Sequence, residues 1–458
     1  MNLKVKAKLD PKFQPLAVVV REMREATKEN GQDVIVAVER NKGQISRYKT
    51  RIYPDGTGHD EENFRFIERI VKTLLWVAGG YKVFIAGSEV VGNKIKEAYT
   101  PDGIRAFDED YMAGVFENPF EVVICSLEEA PEEYYIAESV GRHLDGCRIG
   151  FDAGGSDRKV SAVINGESVY SEEVVWFPKL NSDPEYHYQG ILEAMKTAAS
   201  KMPRVDAIGV SSAGVYIENR TMAASLFLKV GKEDFDKRIK NIYLDVAKEI
   251  GEDIPVVVAN DGDVTALAGA MDLNDDSVLG IAMGTSEAGG YIDADGNITG
   301  WLNELAFVPV DFNADAMVDE WSGDYGCGVK YFSQDGVIKL APYAGIELDE
   351  SLSPAEKLKV VQELMEKGDQ NAADIYDTIG AYFGYAIAYY SEFYDIKHVL
   401  IMGRVTSGQG GQIILSRAQE VLDKEFPELA SKMELHIPDE KSRRVGQSVA
   451  AASLPKIN

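Results

Sequence analysis

The strongest constraint on how this chain can fold is a unit that it contains twice. Residues 148–163 read RIGFDAGGSDRKVSAV: an apolar run through Phe151 ends in Asp152, turns through Gly154-Gly155-Ser156 and leaves as a second strand from Lys159. Asn165-Gly166 then returns a third strand over 168–177, because Asn-Gly between β-rich runs supplies the two positive-φ positions of a tight hairpin. Paired glycines let the backbone approach a ligand closely and aim N–H groups at it, as phosphate requires. Taken alone, the stretch reads equally as an ordinary hairpin. About 130 residues further on, 278–301 (VLGIAMGTSEAGGYIDADGNITGW) repeats the pattern. A strand over 278–283 meets the turn Gly284-Thr285-Ser286, a second strand starts at Gly289, and a turn at Asp295-Gly296 leads into a third. Internal repetition outweighs either copy alone, and two such loops facing each other would clamp a nucleotide between two lobes.

With these turns in this order, the chain from about Cys147 onward resembles the ROK (repressor, ORF, kinase) sugar kinases of the actin/hexokinase/Hsp70-like ATPase superfamily. Asp152 to Lys159 is similar to the family's first phosphate motif, D-x-G-G-T-x-x-K, with Ser156 for Thr, and Gly284-Thr285 to its second. The resemblance covers roughly two-thirds of the chain. It implies an α/β, two-lobed actin/hexokinase-like (ribonuclease H-like) ATPase fold with an additional N-terminal α/β domain. The expected division is an extension over 1–146, a first lobe over 147–265 and a second lobe over 266–458. The closing helix at 443–454 would return to the first lobe, where Arg443 and Arg444 either touch phosphate or are exposed helix-start charges.

Composition narrows the function classes. A length of 458 residues suits two or three domains with substantial cores. The net charge of −27 argues against non-specific nucleic-acid binding and against an anionic membrane surface. Any phosphate site must therefore be built locally, from backbone dipoles and a few cations. The three cysteines (Cys125, Cys147, Cys327) are far apart and write neither a disulfide framework nor a tetrahedral zinc set. The N-terminus lacks an apolar core of signal-peptide length and no segment reaches a membrane span, so a cytoplasmic enzyme is expected.

In the extension, 13–29 has helical spacing, and 33–38 with 44–53 reads as a hairpin through Asn41-Lys42-Gly43. Residues 61–77 form a strongly periodic helix with Phe64, Ile67, Ile70, Val71, Leu74 and Leu75 on one stripe. Gly79-Gly80 ends it, 82–86 reads as a buried strand, 120–126 as another and 127–133 as a surface loop. Hairpin, helix, strand is also the order after Arg148. The extension is thus either a degenerate relative of the ATPase half, with Glu39-Arg40 for its phosphate turn, or an unrelated α/β domain. It is β-rich and lacks a basic recognition helix, unlike the DNA-binding domain of some family members.

Beyond the first hairpin, 187–200 is helical, 205–211 is a buried strand and 232–249 a helix with one apolar face. A strand over 255–259 (PVVVA) runs into Asn260-Asp261-Gly262-Asp263, and 264–271 begins a helix. The polar cluster reads either as a helix N-cap or as a site at the carboxyl end of a central strand, where α/β ligands bind. It resembles the family's N-D-x-N motif, whose Asp is the catalytic base and whose first Asn holds the sugar. Asn260 and Asp261 match, and Asp263 replaces the second Asn. The stretch 303–311 is similar to E-x-G-H-x-P-V-D: Glu304 matches the sugar-contacting glutamate, but Phe307 replaces a histidine that contacts both sugar and a structural zinc. Gly323-Asp324-Tyr325-Gly326-Cys327 resembles the tail of the zinc motif C-x-C-G-x-x-G-C-x-E, with Val329 for its glutamate. One thiol without a histidine cannot complete that site; no zinc is expected, and Cys327 reads as a plain buried residue. Residues 354–367 and 375–394 read as helices, the second with a Tyr/Phe core stripe. A strand over 398–402 then meets Gly403-Arg404-Val405-Thr406-Ser407-Gly408, similar to the adenosine motif G-G-x-x-S with Met402 for the first Gly.

The resemblance implies ATP-dependent phosphoryl transfer to a hydroxyl of a sugar or sugar derivative, a reaction that asks for positioning and charge neutralisation. Backbone N–H groups of Gly154, Gly155, Ser156, Gly284 and Thr285 would hold the phosphates, and Gly403 and Arg404 the adenosine. Asp152 would bind Mg²⁺ through water, and Asp261 would take the proton of the attacking hydroxyl. Asn260, Asp263 and Glu304 would orient the acceptor, and Lys159 either neutralises developing charge or points to solvent. Glu287, just past the second turn, would repel a γ-phosphate: it points away, serves an altered acceptor, or marks weakened ATP use. Phe307, Val329 and Glu287 together keep open a second reading, a non-catalytic carbohydrate or nucleotide sensor. A small-molecule acceptor is the expected partner, and a homo-oligomer stays open.

Overall fold

The computed structural model describes residues 1–136, 139–438 and 440–457, with the side chains of 440–445 outside that description. The first segment runs α1 (Leu16–Ala26), β1 (Gln32–Glu39), β2 (Ile45–Ile52), α2 (Asp60–Val77), β3 (Lys82–Ala86), α3 (Glu89–Ala98), α4 (Ala106–Phe116) and β4 (Glu121–Cys125). The β1–β2 hairpin closes through Lys42 and Gly43 at positive φ, as the Asn-Lys-Gly turn predicts. Its sheet has the order β2-β1-β3-β4, with β3 antiparallel to β1 and parallel to β4.

The next segment carries β5 (Cys147–Ala153), β6 (Asp157–Ile164), β7 (Glu167–Val175), α5 (Pro184–Ala199), β8 (Ala207–Ser212), a small hairpin of β9 (Val215–Ile217) and β10 (Arg220–Ala223), α6 (Lys232–Asp234), α7 (Ile242–Ile250), β11 (Val256–Asn260) and α8 (Asp261–Leu273). The sheet order is β11-β8-β5-β6-β7, with β5, β8 and β11 parallel and β6 and β7 antiparallel. Three antiparallel strands followed by two parallel additions beside the first is the ribonuclease H-like arrangement. Ile149, Phe151, Val160, Ile208 and Val210 fill its core against Ile191 and Met195 of α5 and Val246 of α7. Asn165 (φ 49°) and Gly166 (φ 84°) make the hairpin that their residue types demand. The continuous helix expected over 232–249 is broken: a π turn (Phe235–Ile239) separates α6 from α7. There Thr221 N–H of β10 donates to Lys240 C=O (2.9 Å), drawing a carbonyl out of the helical ladder.

The last segment holds β12 (Val278–Met283), β13 (Glu287–Ile292), α9 (Gln334–Leu340), α10 (Pro354–Glu366), α11 (Gln370–Tyr390), β14 (His398–Met402), α12 (Gln409–Glu425), α13 (Pro427–Ala430), β15 (Glu434–His436) and α14 (Glu440–Ala452). Its sheet order, β13-β12-β14-β15, repeats the first without the third strand. That strand shrinks to one bridge, Ile292 with Ile298, because Asp293 Oδ1 accepts N–H groups of Asp295 (3.0 Å) and Asn297 (2.8 Å) and curls the chain away. α14 lies against β5 and β8, as expected of the closing helix: a Cβ on Gly150 would stand 2.2 Å from Ser448 C=O, and one on Gly209 1.7 Å from Ala451 C=O. The side chains of Arg443 and Arg444 lie outside the described residues.

The chain forms two compact units. The first comprises Met1–Ile136, Ile281–Gly289 and Trp301–Ile437; the second comprises Ala137–Gly280, Gly290–Gly300 and Pro438–Asn458. Residues of the extension and of 301–437 thus share one unit. Within the first unit Phe13 packs edge-on to Tyr382 of α11 (centroids 4.6 Å), and the Tyr382 hydroxyl donates to Asp10 Oδ2 (2.6 Å). The Tyr/Phe stripe of α11 is core, with Tyr382, Phe383, Tyr389 and Tyr390 buried. The degenerate-copy reading of the extension fails on strand direction: β3 runs antiparallel to β1, whereas β8 runs parallel to β5. Among the described residues no helix is long and apolar enough to cross a membrane.

Candidate functional site

In the second unit, Asp152 sits near the carboxyl end of the central strand β5, and Ser211 Oγ on β8 donates to its Oδ1 (2.9 Å). Burial pushes this carboxyl up to about 6; Ser211 and Lys159 oppose the shift, while Asp261 and Asp157 add to it. Lys159 lies directly across on β6 and pairs with Asp157 (3.3 Å), so it bears on the Asp152 charge. Gly154 is required, since a Cβ there would stand 2.7 Å from Asp157 C=O, and Trp176 Nε1 donates to its carbonyl (2.7 Å). At Gly155 the missing Cβ makes room for Lys179, whose Cε would lie 2.9 Å from it. Ser156 Oγ donates to Asp157 Oδ2 (3.2 Å).

Helix α8 starts at Asp261, three residues before the sequence pattern suggested, and the polar cluster caps it. Asn260 is the N-cap: its Oδ1 accepts Gly262 N–H (2.7 Å) and its Nδ2 donates to Gly214 C=O (2.7 Å). Asp261 is the first helical residue, half-buried, at the carboxyl end of β11. Burial raises its pKa, opposed by backbone N–H groups at the helix start and by Lys179. Asp263 is buried and accepts Tyr291 N–H (3.0 Å), tying α8 to β13. Lys179 was not singled out in the sequence. It lies in a short turn after β7, where a lysine reads only as loop charge.

In the first unit, Gly284 N–H donates to Ser286 C=O (2.9 Å), closing the second turn on itself. Arg404 Nη2 donates to Thr285 Oγ1 (2.9 Å), so this turn and the expected adenosine motif meet. Gly403 has φ +100°, and a Cβ there would stand 2.3 Å from Met283 C=O, which lets β14 end against β12. Glu287 begins β13 with its side chain turned into the core. Tyr390 hydroxyl lies 3.5 Å from its Oε1, and a Cβ on Gly328 would be 2.2 Å from its Oε2. Burial pushes its carboxyl up to about 8, so it is largely uncharged at neutral pH. Of the three readings of Glu287, the structure favours the one in which it points away.

The Glu304 segment hangs from the extension. Asn303 and Glu304 N–H groups donate to Val77 and Trp76 carbonyls (3.0 Å each), satisfying two orphan acceptors at the end of α2. Phe307 packs against Trp76 (4.3 Å) and Phe107 (5.8 Å), with Tyr111 beside Trp76 (4.9 Å). Burial and the nearby Glu304 raise the Tyr111 hydroxyl pKa. Asp324, in the loop like a zinc motif, is gripped by Arg69 (2.9 Å), Lys72 (3.3 Å) and Arg105 (2.8 Å), all from the extension. Glu68 and Asp108 complete this buried cluster. Cys327 Sγ lies 3.9 Å from Asp324 Oδ2, and burial pushes its thiol up.

Two sheets of ribonuclease H-like order, each led by a strand that ends in a glycine-hydroxyl turn, define an actin/hexokinase-like ATPase fold. The model of the ROK family matches residues 148–443, and the chain belongs to that family. Among solved structures it is similar to a ROK family transcriptional regulator, a homolog of the E. coli MLC protein, with 18% identity over 68% of this chain and 79% of that one (TM-score 0.53). It is also similar to the ROK hexokinase of Thermus thermophilus, with 17% identity, 66% and 97% coverage and TM-score 0.49. A third is the ROK family glucokinase of Streptomyces griseus, solved with glucose and AMPPNP, with 20% identity, 67% and 98% coverage and TM-score 0.45. No curated protein matches the chain.

Proposed function

We propose that the chain is an ATP-dependent kinase that phosphorylates a hydroxyl of a sugar or sugar derivative. The observation that carries this reading is the pair Asp152 and Asp261 at the carboxyl ends of parallel strands β5 and β11, each raised in pKa by burial. The donor set fits the nucleotide: a carboxylate oxygen suits Mg²⁺ through water, and the Gly154-Gly155 turn, kept tight by the missing Cβ groups, holds the Lys179 ammonium beside it. MgATP supplies the phosphoryl group and neutralises its charge. Asp152 anchors the metal side, and Lys179 and Lys159 offset phosphate charge near it. Asp261 accepts the proton of the acceptor hydroxyl at its carboxylate, a base strengthened by burial. Thr285, with Arg404 bonded to its hydroxyl, and Gly403 are the residues assigned to phosphate and adenosine in the second motif pair. Glu304 orients the acceptor, and the half-buried rings of Phe107, Tyr111 and Phe307, backed by the buried Trp76, offer an apolar wall for a sugar face. A cytoplasmic enzyme fits this use of ATP.

The second reading, a non-catalytic sensor, draws on Phe307 and Val329 at positions where the family has sugar ligands. Both readings are tested by ADP release over a panel of sugars with MgATP, in parallel with thermal shift. The kinase reading expects sugar-stimulated ADP release that falls by roughly 10²–10⁴ in Asp261→Asn with an unchanged melting profile. Sugar- or nucleotide-induced stabilisation without turnover would establish the sensor instead.

A further inference from the structure

The edge of the β13-β12-β14-β15 sheet carries a constellation that phosphoryl transfer does not use. Strands β14 and β15 run parallel, with His398 opposite Glu434 and Leu400 opposite His436. Glu434 and His436 are two residues apart on one strand and so project from the same face. His398 Nδ1 and His436 Nε2 are 3.1 Å apart, and Glu434 Oε2 lies 3.9 Å from the first and 3.8 Å from the second. A hydrogen bond between the two rings accounts for the first distance alone. Glu434, in ion-pair range of both rings, sets its carboxylate oxygen nearly equidistant from the two nitrogens, and all three ligand atoms lie within 4.8 Å of one another. The centre of that triangle lies about 2.1 Å from all three atoms, the bond length of zinc to imidazole nitrogen and carboxylate oxygen.

We propose that His398, Glu434 and His436 form a binding site for a divalent transition-metal ion, Zn²⁺ by its fit. His398 is buried, His436 half-buried and Glu434 exposed, so a fourth coordination position would face solvent. The ion joins the start of β14 to β15. The other end of β14 delivers Gly403 and Arg404, so the site is a structural staple at a distance from the nucleotide residues. It is separate from Cys327, where the sequence excluded a zinc site. The sequence hid this one because His398 and His436 are far apart in the chain and the Cys/His spacings of zinc motifs are absent. The inference does not depend on the kinase reading.

The test uses the full chain without an affinity tag, stripped with chelator, dialysed and titrated with ZnCl₂. Calorimetry and elemental analysis should find one zinc per chain, and the melting temperature should rise with zinc concentration. His436→Ala should lose the stoichiometric ion and the zinc-dependent rise while keeping the metal-free melting temperature. Glu434→Gln should weaken binding roughly tenfold. Absence of zinc uptake, or equal uptake by His436→Ala, overturns the proposal, as does uptake lost only in Cys327→Ala.

Discussion

Glu287 shows how far one side chain's surroundings change its chemistry. The ordinary glutamate value of 4.5 rises to about 8 here through burial, with Tyr390 the titratable group against it. Between those values the unfolded chain has released a proton that the folded chain keeps. The stability from Glu287 is therefore fully present below about pH 4.5 and lost as pH rises through about 8. In Glu287→Gln that loss disappears. We expect the variant and parent to melt alike at pH 5 and the variant to melt about 2–4 °C higher at pH 8.5. A constant offset across that range would contradict the assignment. In sequence Glu287 was legible as a misfit but not as a core residue, because one position decides which face of β13 it takes and the strand's start was placed two residues late. Asn260 and Asp261 were legible because a polar cluster after an all-Val strand has few uses. Lys179 was not, since its approach to Gly155 is made by a turn rather than by spacing.

At the scale of elements, the apolar runs of β5, β8, β12 and β14 gave their places directly, and α2 was found by its stripe. Its other face was not read by that stripe. Glu68, Arg69 and Lys72 have the look of a solvated surface, yet all three are buried among Arg105, Asp108 and Asp324. Against the penalty of burial, Asp108 and Asp324 hold the Lys72 ammonium above its usual value. A periodicity argument sees one helix at a time and has no means of pairing α2 with a loop some 250 residues away. Removing one member leaves its partners charged and buried. Lys72→Met should therefore cost about 3–5 kcal/mol in chemical denaturation; a loss below about 1 kcal/mol would show that the cluster relaxes.

For the whole molecule, the repeated strand-and-turn unit was readable because the same backbone demand recurs twice. The units that the chain actually forms were not, because each is assembled from three separate stretches. The extension shares a unit with 301–437, supplies the cations around Asp324 and carries the Glu304 segment on the carbonyls of α2. A chain beginning at residue 139 should accordingly lose cooperative melting, measured by calorimetry or near-ultraviolet dichroism. A sharp, parent-like transition would mean that the family portion stands alone. The loop around Cys327 has a further consequence. Carboxylates and guanidinium groups neither oxidise nor surrender an ion to a chelator, so this loop's grip is indifferent to peroxide, and the thiol within it is a bystander.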